Sequence, residues 1–136
     1  MNDIILVDNG LKAEDFVQLR IEAGFLKTPI EQAEKAIHNG LFNVAAVYDG
    51  KTVGMGRLVG DGAMYWYLQE IIVLPEYQRK GIGTKIVSRL VKYVEENGMP
   101  DTLMTIGLVA AQGKEPFYQK LGFSVIPTGM KKYIQL

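Results

Sequence analysis

The chain has 136 residues, no cysteine, and 15 basic against 15 acidic side chains, so its formal net charge is zero. This composition excludes disulfides, thiolate metal sites and cysteine nucleophiles, and it gives no electrostatic case for a nucleic-acid or anionic-membrane partner. The N-terminal residues do not resemble a signal peptide, and no apolar run approaches the roughly 20 residues that span a bilayer. We therefore expect one cytoplasmic domain over residues 1–136.

Strand-like and helix-like segments alternate along the chain in the order βααβββαβαββ. The predicted strands are 4–7, 42–48, 52–59, 64–74, 102–109, 123–126 and 130–134. The predicted helices are 13–23, 29–39, 81–97 and 115–121. This order predicts an α/β (α+β) fold, in which a mixed, mostly antiparallel sheet of about seven strands is flanked by about four helices.

Local signals mark several of the boundaries. Thr28 and Glu31 lie at the spacing of a capping box around Pro29, at the start of the second helix. Asp49-Gly50 is typical of a tight hairpin turn. The segment 54–62 is unusually rich in glycine for a strand, which predicts a bulge or a close approach of another backbone.

The turn between the fourth predicted strand and the third predicted helix carries an unfavourable combination of residues. Arg79 and Lys80 oppose the helix macrodipole, at a cost of roughly 0.3–1 kcal/mol each. Gly81 and Gly83 each cost about 1 kcal/mol relative to alanine inside a helix. A phosphate at the helix N-terminus would compensate for both effects, whereas a solvated turn is the alternative. The spacing rejects a dinucleotide fingerprint, which needs glycine where Ile86 stands, and it rejects a P-loop.

Two motifs in this order resemble the GNAT family of N-acetyltransferases. The first is Gln78-x-x-Gly81-x-Gly83, which follows Val73-x-Pro75 and leads into an apolar helix. The second is the segment 117–123, Phe-Tyr-Gln-Lys-Leu-Gly-Phe, which is similar to the final helix motif of that family. The resemblance covers nearly the whole chain and implies a GNAT fold with acetyl-coenzyme A as the acetyl donor.

The resemblance also implies where the donor would bind. In the family, the end of the central strand pairs with the pantetheine arm, and the following turn holds the pyrophosphate through its backbone N–H groups. The implied cofactor-binding residues are Ile71, Ile72, Val73, Gln78, Arg79, Lys80, Gly81, Ile82, Gly83, Thr84 and Tyr118. On this basis Gly83→Val is expected to abolish coenzyme A binding and to leave the fold intact.

The resemblance assigns catalytic roles with less precision. Tyr118 is similar to the family's tyrosine that protonates the departing sulfur, and the alternative for it is a packing aromatic. Glu70 is the candidate base, or else a strand carboxylate that is exposed or pairs with a cation. Asp61, Tyr65, Tyr67 and ordered water are the other candidates for the base. Where the family often has an asparagine that contacts the cofactor, this chain has Ala111, and Gln112 is the candidate substitute.

The acceptor side is expected between the first two helices and the neighbouring strands. The candidate acceptor-binding residues are Arg20, Phe25, Arg57 and Tyr67, with Leu19, Leu26, Asp61 and Tyr65 nearby. Arg20 and Arg57 either recognise an acidic group on the substrate or pair with Glu22 and Asp61. His38 is expected at the surface, and no cluster has metal-ligand spacing, so no metal is expected.

The resulting prediction is an N-acetyltransferase that acts on a primary amine of a small molecule by direct attack in a ternary complex. The alternatives are protein or peptide acetylation and a coenzyme A-binding sensor without turnover. A homodimer is also considered, with the closing strands at its edge.

Overall fold

One mixed sheet organises residues 3–136, the part of the chain that the computed structural model describes. Its five strands lie side by side in chain order, and the first four are antiparallel to their neighbours, whereas β5 is parallel to β4. The strands are β1 Ile5–Asp8, β2 Phe42–Tyr48, β3 Lys51–Gly60, β4 Tyr65–Val73 and β5 Thr105–Gly107. The predicted α/β class with a mostly antiparallel sheet is confirmed.

Four helices flank this sheet, as predicted. They are α1 Ala13–Glu22, α2 Ile30–Asn39, α3 Ile82–Asn97 and α4 Glu115–Lys120, and a single 3-10 turn, Pro75–Tyr77, precedes α3. Within residues 3–136, none of them has the length and apolar character of a membrane-spanning helix.

The helices form a layer on each face of the sheet. On one face, α3 inserts an apolar stripe that includes Ile86 and Leu90, both fully buried. Gly56 of β3 allows this approach, because a Cβ there would lie 2.6 Å from the Ile86 side chain. The glycine-rich strand is therefore explained by close packing against a helix. On the other face, the β3 side chain of Arg57 reaches α2 and donates to the Ala36 carbonyl at 3.1 Å.

The prediction of seven strands is wrong in two places. Residues 123–126 and 130–134, predicted as closing strands, have no strand structure. The Phe123 amide donates to the Tyr118 carbonyl, and beyond it no backbone hydrogen bond joins the segment to the sheet within residues 3–136. Aliphatic and aromatic residues there favour extended backbone, but a strand also needs a neighbouring strand with which to exchange hydrogen bonds.

The hairpin between β2 and β3 is confirmed, and the capping box is not. Asp49 and Gly50 have φ angles of 49° and 80°, as a type I′ turn requires. Helix α2 has Pro29 at its N-cap and no side-chain cap. Thr28 lies one residue too early to cap the helix, and its hydroxyl accepts a hydrogen bond from Arg20 Nε at 3.3 Å instead.

A bulge in β4 determines which side chains of this strand lie on the face of α1 and α2. Between the pairs Met55↔Ile72 and Arg57↔Gln69, β4 contains one more residue than β3. Glu70 lies at this point with a left-handed φ of 49°. The extra residue inverts the alternation of side chains, so that Glu70 joins Arg57 on the face of α1 and α2 and does not point into the apolar core beneath α3.

Candidate active site

The sheet opens between β4 and β5. The two strands pair only along Tyr65–Tyr67 and Thr105–Gly107, and β4 then continues to Val73 with β3 on one side and no strand on the other. Backbone groups on this free edge can pair with an extended molecule as a further strand would. The segment Ile71–Val73, implied as the pantetheine site, lies on that edge.

The turn that follows β4 presents unused N–H donors. Arg79 and Gly81 adopt left-handed φ angles of 63° and 80°. Gly81 is the N-cap of α3, and it is not accompanied by a side-chain cap or by an acidic residue in the first turn of the helix. The exposed side chains of Arg79 and Lys80 add positive charge to the positive end of the helix dipole. The geometry therefore fits a phosphate group bound by backbone N–H groups.

Gln78 closes this turn against the end of β4. Its Nε2 donates to the Val73 carbonyl at 2.9 Å, and the side chain is exposed. Gln78 thus couples the turn to the free edge of β4, and it occupies a carbonyl that an added strand could use.

Gly83 lies close to helix α4 as well as to the turn. A Cβ on Gly83 would lie 3.3 Å from the Phe117 ring of α4, whereas a Cβ on Gly81 would meet no atom within 4 Å. A valine at position 83 would press against the Phe117 ring, so Gly83→Val tests packing as well as CoA binding. Gly81 is the glycine that faces open space at the turn.

Helix α4 packs against the start of α3 through Phe117, and the next residue of α4 is Tyr118. Pro116 lies in the first turn of α4. The Tyr118 ring makes edge contacts with Phe117 and Phe123, at centroid distances of 4.9 and 6.0 Å. Burial raises the pKa of the Tyr118 phenol above its ordinary value, so the group stays protonated at neutral pH.

Arg20, Glu70 and Arg57 form one ion-pair cluster on the face of α1 and α2, where the acceptor was expected. Arg20 Nη1 lies 3.3 Å from Glu70 Oε1, and Arg57 Nε lies 2.7 Å from Glu70 Oε2. Of the two alternatives for these arginines, pairing with Glu22 and Asp61 is wrong, because both pair with Glu70 instead. The bulge turns Glu70 towards both of them, and this could not be read from the sequence because the extra residue carries no glycine signal.

The remaining acceptor-side candidates separate into two groups. Phe25 lies under the Arg20 guanidinium at 4.6 Å, and Tyr67 packs over Gly107 on the same face as Arg57. Leu19 is 2% exposed and belongs to the core, so it is not available to an acceptor. Asp61 caps its own turn, because its Oδ1 accepts from the amides of residues 63, 64 and 65. These hydrogen bonds, that of Ala63 foremost, lower the pKa of Asp61.

Three further residues that the sequence singled out lie at the surface. His38 is exposed near the end of α2, and Ala111 and Gln112 are exposed before α4. No group of three or more metal-ligand side chains occurs within residues 3–136.

Comparisons with known proteins decide the family. A family model described as the acetyltransferase (GNAT) family matches residues 12–123. The chain belongs to the GNAT family. The uncharacterized N-acetyltransferase ycf52 of Pyropia yezoensis is 25% identical over 134 residues, which cover 95% of this chain and 75% of that protein.

Solved structures of GNAT proteins share the fold. A crystal structure from meticillin-resistant Staphylococcus aureus, described as a probable acetyltransferase of unknown function, has a TM-score of 0.86 and 30% identity, covering 98% of this chain and 100% of that one. An aminoglycoside N-acetyltransferase in complex with CoA has a TM-score of 0.72 at 15% identity, covering 100% of this chain and 97% of that one. The GNAT fold uses acetyl-CoA, and this chain is a GNAT acetyltransferase.

Proposed function

We propose that this GNAT protein transfers acetyl from acetyl-CoA to a primary amine of a small molecule, by direct attack in a ternary complex. The observation that supports this most strongly is the free edge of β4 beside the uncapped N-terminus of α3. Acetyl-CoA supplies the thioester. The chain has no cysteine that could carry the acetyl group, which favours direct attack by the acceptor.

The donor is proposed to lie across two adjacent surfaces. Backbone groups of Ile71, Ile72 and Val73 pair with the pantetheine arm along the free edge. The N–H groups of 79–84 bind the pyrophosphate, and the side chains of Arg79 and Lys80 add charge. Gln78 then has to release the Val73 carbonyl or share it with the donor.

Tyr118 is proposed as the acid for the departing sulfur. During transfer the amine nitrogen forms a bond to the acetyl carbon, the carbon–sulfur bond breaks, and the sulfur takes up a proton while the amine gives one up. A buried phenol with a raised pKa holds its proton until a thiolate develops beside it.

Ordered water is proposed to accept the proton of the amine. Each carboxylate oxygen of Glu70 accepts a hydrogen bond from one arginine, so the carboxylate already holds both guanidinium groups in place. Glu70 is therefore proposed to position Arg20 and Arg57, although a direct role as base remains the competing proposal.

The test is release of free CoA thiol and of N-acetylated product across a panel of small amines and peptides. We expect turnover with small amines, and we expect Tyr118→Phe to lower kcat by about 10²–10⁴-fold with little change in acetyl-CoA affinity. Product from peptides alone would support the protein-acetylation alternative. Tight binding of acetyl-CoA without any release of thiol would support the sensor alternative.

A homodimer is proposed as the assembly, with the C-terminal segment 124–136 of a second copy pairing with β5. The free edge of β5 adjoins a groove of about 320 Å³ that is lined by apolar side chains such as Met104, Ile106 and Phe123. Segment 124–136 carries exposed apolar residues, including Ile126 at 73% and Ile134 at 78%. Light scattering should give the mass of a dimer for the native chain and of a monomer for Ile134→Lys. A monomer for both would contradict the proposal.

A further inference from the structure

The cluster of Arg20, Glu70 and Arg57 contains more positive than negative charge. From it we infer a subsite for an anion, so that the acceptor is an amine that also carries a carboxylate or phosphate group. This inference rests on the proposed function, because it names the class of acceptor for that same site.

The positive and negative charges of the cluster do not balance. Two guanidinium groups share the single carboxylate of Glu70, and the three side chains are only 22%, 12% and 12% exposed for Arg20, Arg57 and Glu70. One positive charge therefore stays unbalanced in a partly desolvated position, which is costly unless an anion approaches it.

Another arginine of the same chain shows the contrasting arrangement. Arg89 on α3 is 25% exposed, about as much as Arg20, and pairs with both Asp8 and Glu96, so that two carboxylates serve one guanidinium. The positive charge of Arg89 is thus balanced in a place where no ligand is proposed, whereas the cluster of Arg20, Glu70 and Arg57 has one positive charge in excess where an acceptor is proposed.

The two arginines of the cluster also have hydrogen-bond donors that no protein group uses. Arg20 donates through Nε and Nη1, to Thr28 and Glu70, and Arg57 donates through Nε and Nη1, to Glu70 and Ala36. Within residues 3–136, the Nη2 atom of each arginine has no hydrogen-bond partner. The only fully buried side-chain polar atom without a partner there is Trp66 Nε1, so neither Nη2 group is completely enclosed by the protein.

The guanidinium groups are also held in fixed positions, as recognition of a planar anion requires. The Phe16 ring lies 5.8 Å from Arg20 Cζ and 5.6 Å from Arg57 Cζ, and Phe25 supports Arg20 at 4.6 Å. Preorganised arginine forks bind carboxylate and phosphate through paired hydrogen bonds.

The position of the cluster limits the size of the acceptor. Glu70 directly precedes Ile71–Val73, where the donor is proposed to pair, and a strand rises about 3.3 Å per residue. The cluster is therefore within about 10 Å, along the strand, of the backbone groups that are proposed to bind the donor, which favours small amino acids and short phosphorylated amines over long polyamines.

Binding to the protein saturated with CoA tests this without need of turnover. Isothermal titration calorimetry compares β-alanine with β-alaninamide and phosphoethanolamine with ethanolamine, pairs that differ in the anionic group. We expect the anionic member to bind at least about tenfold more tightly. The two pairs distinguish a carboxylate from a phosphate ligand.

Matched variants assign the preference to the cluster. Arg20→Gln should abolish most of the preference, Arg20→Lys should keep part of it, and Lys92→Gln, which removes a charge from the opposite face, should keep all of it. Equal binding within both pairs, no binding of either member, or a preference that survives Arg20→Gln in a folded protein would overturn the inference. If neutral amines are acetylated and the anionic members bind no more tightly, the proposed function holds and the anion subsite is refuted. If the anionic members bind preferentially but no amine is acetylated, the subsite holds and the proposed function is refuted.

Discussion

Gly81 allows the proposed phosphate turn to be tested separately from the stability of the fold. It has a φ of 80° and open space around its missing Cβ. Gly50, in the β2–β3 hairpin, has the same φ of 80° and equally open space, but lies away from the site. Alanine at either position imposes the left-handed penalty of about 1–2 kcal/mol. Both variants should therefore lower Tm by several degrees.

The two variants should differ in their affinity for CoA. Alanine at position 81 either shifts the turn or places a methyl group beside the N–H groups of α3, and each lost charge-assisted hydrogen bond is worth about 1.5–3 kcal/mol. This corresponds to a tenfold to hundredfold weaker Kd for Gly81→Ala, and to no change for Gly50→Ala.

Calorimetric titration with CoA, paired with thermal denaturation, measures both effects. The reasoning fails if Gly81→Ala binds CoA as tightly as the native protein. It also fails if Gly50→Ala loses as much affinity, because the loss would then follow from stability alone.

Three further changes test other parts of the account. In Glu70→Gln, the fall of kcat at low pH should remain if ordered water accepts the proton of the amine. If that fall disappears in the variant, the Glu70 carboxylate is the base. Gly83→Val should lower the free energy of unfolding by about 1–3 kcal/mol through its clash with Phe117, and an unchanged denaturation midpoint would contradict that packing. The pKa of Asp61 is lowered in the fold, so its stabilising effect is present at neutral pH and is lost as pH falls below about 4. The Tm gap between native protein and Asp61→Asn should therefore narrow on acidification, and a gap that is constant down to pH 3 would refute it.

Local chemistry made much of the fold predictable. Asp49-Gly50 specifies its turn within two residues, and the apolar stripe of α3 follows from helical periodicity. The residues from Gln78 to Gly83 predicted the turn because they are neighbours in the sequence, and their resemblance to the GNAT motif indicated the donor.

The rest depended on contacts between distant segments. Residues 130–134 favour a strand, but among the described residues 3–136 they exchange no backbone hydrogen bonds with the sheet, although the outer edge of β5 is free there. Thr28 has the right side chain for a cap, but the helix begins one residue late for it. The ion pairs of Glu70 depend on a bulge whose left-handed residue is a glutamate, and no local pattern marks that position.

Transfer of a labelled acetyl group tests the central claim most directly. The protein is incubated with acetyl-CoA that carries ¹³C in the acetyl group and with the amine panel, and both the small products and the intact protein are examined by mass spectrometry. We expect a labelled N-acetyl amide, one CoA released for each amide formed, and no labelled protein. Labelled protein that forms and then reacts with the amine, or bound acetyl-CoA with no product, would contradict it.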